Sequence, residues 1–207
     1  MTTLFPIDDE GRWRTFLRLP GIHAHPARLA ACFGGAIAPD LCAALQAEPR
    51  FAVRLTGVLE DVGLLPPADD ALHCAEVDRA IVVQAPQELM AAALRAGALY
   101  WADAIANVVL APDVEQLRSS LDGALIAFGL ANRAAGPQGL RFDDLSHAAE
   151  VVARDGWYSF LAWVAQLPAG VRARLVLKFE DGAIAPGPVP ALFAEIGPGL
   201  YREAAGS

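Results

Sequence analysis

The sequence predicts an all-α protein, an irregular helical bundle with a long helix pair at its centre. Most segments between its prolines and glycines repeat their apolar residues every 3.6 rather than every 2 positions. The two longest such patterns, Pro86 to Leu110 and Pro112 to Arg133, meet at Ala111-Pro112. Hydrophobic residues make up 55% of the 207 residues and charged residues 19%, which is enough apolar surface for a core and too little charge for a disordered chain. The length fits a single helical domain over residues 1–207. Its expected irregular parts are an N-terminal arm over about 1–21 and linkers near 63–70, 134–142 and 181–190.

Taken in order, the first helix is expected from Pro26 to Phe33, because proline suits a first turn and Gly34-Gly35 stops it. Pro39-Asp40 opens a second, from Leu41 to about Ala47. From Phe51 to Val62, Phe51, Leu55, Val58, Leu59 and Val62 share one side and Gly63 ends the run. Pro66-Pro67-Ala68-Asp69-Asp70 reads as a linker. In the first central pattern Leu89, Met90, Leu94, Leu99, Trp101, Ile105, Val108 and Val109 wrap nearly the whole circumference, as in a helix packed on several sides. In the second, Val114, Leu117, Leu121, Leu125 and Phe128 follow three- and four-residue steps, and the break at Pro112 makes the two an antiparallel or sharply angled pair. After the linker Gly136-Pro137-Gln138-Gly139, Asp143-Asp144 caps a helix from Leu145 to about Arg154, and Gly156 separates it from Trp157 to Gln166. Val171 to Phe179 alternates as a strand would but also offers a helical face through Val171, Leu175 and Phe179; with no second strand to pair with, helix is the expectation. Pro190 to Ile196 closes the chain as a short helix before a fraying tail.

The formal net charge of −8 argues against binding nucleic acid or an anionic membrane, since both require a positive surface. Fifteen arginines against one lysine, Lys178, reflect genome composition rather than chemistry. Three cysteines, Cys32, Cys42 and Cys74, form no Cys-x-x-Cys pair and point to a reducing compartment. Asp8, Asp9 and Glu10 stand where a signal peptide would be basic and then apolar, so no secretory address is expected. The longest apolar stretch, Leu89 to Ala111, is interrupted by Arg95, Asp103 and Asn107 and reads as a buried helix rather than a membrane span.

Motifs for catalysis are missing. No phosphate-cradling glycine loop and no Gly-x-Ser-x-Gly elbow occurs, and Ser146-His147 reads as part of a helix cap. His23-x-His25, Cys32, Cys42 and His73-Cys74 match no common zinc spacing, so buried thiols and ordinary histidines are expected, with no metal and no cofactor. Asp103 and Asn107, four apart, read as the one polar stripe of an apolar helix. Asp69-Asp70 and Asp143-Asp144 read as turn and cap residues.

Two clusters remain as candidate partner-binding residues. Trp157 and Tyr158 belong to an aromatic group with Phe160 and Trp163; most of it suits a core, but an exposed Trp or Tyr would anchor a protein interface. Arg172, Arg174 and Lys178 form a basic stripe that could receive an acidic partner on an otherwise acidic protein.

The order of these features resembles a known family, the sorting-platform accessory proteins of bacterial type III secretion systems (SctK or YscK-like). Ile22-His23-Ala24-His25-Pro26-Ala27-Arg28-Leu29 is similar to that family's early His-Pro signature. The central block resembles its best-marked region: Pro86-Gln87-Glu88-Leu89, then Arg95 to Trp101, Ile105 to Leu110 and Val114 to Leu125. Gly156-Trp157, Leu161 to Leu167 and Arg174 to Lys178 continue the likeness. The resemblance implies a non-enzymatic, cytoplasmic adaptor beneath the injectisome of a Gram-negative bacterium. It would link the cytoplasmic domain of the inner-membrane ring protein (SctD-like) to the sorting-platform pod protein (SctQ-like). It implies no residue-level binding motif. The rival readings are a small acidic secretion chaperone or other protein-binding module, and a metal-dependent enzyme built on the cysteines, His73 or Asp103.

Overall fold

The computed structural model describes residues 9–184 and 188–206. Among them the protein is all-α, with no strand. Its helices are α1 (Asp9–Arg18), α2 (Pro26–Cys32), α3 (Pro39–Gln46), α4 (Ala52–Asp61), α5 (Glu76–Val82), α6 (Pro86–Tyr100), α7 (Ala102–Ala106), α8 (Ala111–Ser120), α9 (Gly123–Ala131), α10 (Ala148–Gln166), α11 (Ala169–Val176) and α12 (Ala191–Ala205). The chain, read from sequence as one domain, divides into two compact units. One holds the described residues within Met1–Pro86 and Leu167–Ala185, the other those within Gln87–Gln166 and Pro186–Ser207.

In the first unit, the arm expected to be irregular contains α1. Trp13 and Phe16, three apart, bury together with their rings 5.7 Å apart, while Arg12, Arg14 and Arg18 face solvent. That amphipathic spacing is what makes the segment helical. Helix α2 ends where Gly34 and Gly35 take φ of +62° and +78°, a conformation that costs little only for glycine. Cys42, Leu29, Leu59 and Leu177 share one apolar cluster. The side-chain amide of Gln46 donates to the carbonyls of Gly21 and Ala24 at 2.8 and 2.7 Å, fixing the turn Pro20–Ile22 against the helices. The expected linker 63–70 is part of this unit. Asp70 accepts from the Gly170 amide at 3.2 Å, and a methyl group on Gly170 would lie 2.6 Å from the Pro67 carbonyl, so the Pro-rich strap seats the start of α11. The segment 171–179 is helical through Val176 and then turns, consistent with the helix expectation.

The second unit is built on α6, α10 and α12. Each of the two central patterns is broken once: the first at Trp101, between α6 and α7, and the second at Leu121, whose extended backbone lets Asp122 cap α9 by accepting from the Ala124 amide at 2.7 Å. Gly156 does not end a helix as expected; α10 runs unbroken through it. The glycine serves packing instead. A methyl group on Gly156 would stand 2.0 Å from the Ala93 carbonyl oxygen, and one on Gly97 would stand 1.9 Å from that of Val152, so α6 and α10 cross with backbones touching at two reciprocal glycines. The tail expected to fray is the rest of α12, with Leu200, Tyr201 and Ala204 buried. Tyr201 packs its ring 4.7 Å from Trp163 and 5.2 Å from Phe160, and its hydroxyl donates to the Leu89 carbonyl at 3.0 Å.

Candidate interaction surface

The five residues singled out from sequence lie in different settings. Trp157 and Tyr158 are half-buried on α10, Trp157 with its ring 4.9 Å from Phe160 and Tyr158 5.5 Å from Phe193 of α12. The basic residues do not form a surface stripe. Arg172 is exposed, but Arg174 is only 8% and Lys178 only 4% accessible. The Arg174 guanidinium donates to the carbonyls of Leu17, Gly170 and Pro66 at 2.9, 2.9 and 3.1 Å. Lys178 Nζ donates to those of Val82 and Gln84 at 2.6 and 2.7 Å and lies 5.2 Å from the Phe16 ring centre. Alternation of basic and apolar residues marks a solvent face only when the charged heads have nothing to satisfy inside. Here helix ends and straps present carbonyls that need donors, and two of the three cations supply them.

The residues with catalytic potential are likewise committed to the fold. Burial raises the thiols of Cys32 and Cys42 above their ordinary value, which makes them poor nucleophiles and ligands. No group of three or more His, Cys, Asp and Glu among the described residues could hold a metal ion. His23 Nε2 is buried without a hydrogen-bond partner, and desolvation, reinforced by Lys178 and Arg12, lowers the imidazole to about 4, so it is neutral near pH 7. Asp144, Ser146 and His147 come together, but Ser146 Oγ and Asp144 Oδ2 both meet His147 Nδ1, at 3.0 and 3.2 Å. A nucleophile relay needs the two on opposite ring nitrogens; Asp144 also accepts from the Ser146 amide at 2.8 Å and is a cap.

Asp103 is more than a polar stripe. It is buried, and accepts from the Gly139 amide at 2.7 Å, from Arg133 Nε at 2.9 Å with a second, shorter Arg133 bond, and from Asn107 at 3.3 Å. The Gly139 amide first, then Arg133, hold its carboxyl below the ordinary range. The expected linker 134–142 is thereby tied to α7. Beside it, Asp155 accepts from Trp101 Nε1 at 2.9 Å and from Arg154 at 2.7 Å, and Trp101 stacks on Phe142 with centroids 4.7 Å apart.

These anchors frame the surface that sequence reading passed over. Val109 and Leu110, in the turn between α7 and α8, are 78% and 63% exposed. Next to them a groove of about 560 Å³ is lined by Val108, Phe142 and Leu145, with Asn107, Asp113 and Arg141 as its polar members. The neighbouring α9, GALIAFGLA, carries no charge at all. Its Leu125, Ile126 and Phe128 pack on the cluster around Ala98, Ile105 and Leu117, while Ala124, Ala127, Leu130 and Ala131 face outward. Periodicity finds the inner face of such a helix but cannot show that its outer face lacks a cover. No helix of the described residues is long and apolar enough to cross a membrane.

Comparison of the chain with protein-family models, curated proteins and solved structures finds no match.

Proposed function

We propose that this protein is a docking adaptor, and that its setting is the cytosolic face of a type III secretion injectisome, where it links an SctD-like inner-membrane ring protein to an SctQ-like pod protein. The observation that carries the docking reading is the contrast within the second unit. Its buried carboxylates, Asp103 and Asp155, are spent on holding loops and rings in place, while Val109, Leu110 and the outer face of α9 are left in water. Apolar side chains exposed together on a rigid frame are what a protein interface offers before its partner arrives. The choice of secretion partners rests on the ordered resemblance from Ile22 to Lys178 described above. A pull-down with the purified chain as bait, from lysate of its own bacterium grown with the secretion genes expressed, tests it by mass spectrometry. Enrichment of the SctQ-like or SctD-like protein over a bead control is the expected result. Recovery of neither overturns the assignment to this machine.

A further inference from the structure

We draw no further inference here: the strongest candidate, the exposed apolar surface made by the α7–α8 turn, its adjoining groove and the outer face of α9, carries nothing because the groove is charge-balanced and nothing in the structure shows what covers it.

Discussion

Replacing Gly97 by alanine adds one methyl group where α6 crosses α10, and the structure leaves no room for it. The new carbon would stand 1.9 Å from the Val152 carbonyl oxygen, 2.9 Å from its carbon and 3.1 Å from the Gly156 amide nitrogen. A comfortable carbon to oxygen approach is about 3.3 Å, so the helices must part by more than an ångström. No side chain can turn aside, because all three obstacles are backbone. Overpacking typically costs about 1–3 kcal/mol, and this case belongs at the upper end. Against it, alanine gains about 1 kcal/mol over glycine inside a helix, leaving a net loss of about 2 kcal/mol. Gly199 supplies the control. It lies in α12 of the same unit with nothing within 4 Å of an added methyl, so Gly199→Ala should be neutral or stabilise by up to about 1 kcal/mol. Urea unfolding followed by circular dichroism measures both. Finding Gly97→Ala as stable as wild type or as Gly199→Ala would refute the crossing.

Three further outcomes follow from the first unit. His23 is lowered to about 4 by burial and by the nearby cations, whereas in the unfolded chain it titrates near 6.5. The unfolded state therefore binds more protons between those values, and stability should fall by up to about 3 kcal/mol as pH drops from 7 to 4; His23→Phe should flatten that slope, and an unchanged slope would contradict it. Lys178→Met leaves the carbonyls of Val82 and Gln84 without their donor and should cost about 2–3 kcal/mol in the same urea assay, with no loss at all counting against the assignment. Arg174→Glu places a carboxylate against three carbonyls and should unfold the unit; a wild-type melting temperature in that variant would contradict the burial of Arg174.

Much of the helical framework could be read from spacing, and the misreadings have physical causes. The turn at Pro112 and the stop at Gly34-Gly35 are local backbone effects, so they were legible. Gly156 looked like a break because glycine weakens an isolated helix, yet its lack of a side chain is what lets α10 touch α6, a long-range reason that one segment does not display. Spacing alone marks helix α1 and the last two turns of α12 as irregular. The first has only a short amphipathic run around Trp13 and Phe16, and the second contains Gly197-Pro198-Gly199, which tertiary packing overrides. The candidate site was less legible than the fold. Arg174 and Lys178 alternate with apolar residues like a solvent stripe, and only the carbonyls brought in by Leu17, Pro66, Val82 and Gln84 turn them inward. Periodicity places Val109 in a helix packed on several sides, but α7 ends at Ala106 and leaves Val109 in the exposed turn before α8.

The docking assignment stands or falls most directly on isothermal titration of the purified chain with purified SctQ-like protein and, separately, with the cytoplasmic domain of the SctD-like protein from the same bacterium. Saturable one-to-one binding to either, lost when Val109 and Leu110 are both serine, is the expected result. The absence of heat with both proteins, at concentrations where each is folded, would contradict it.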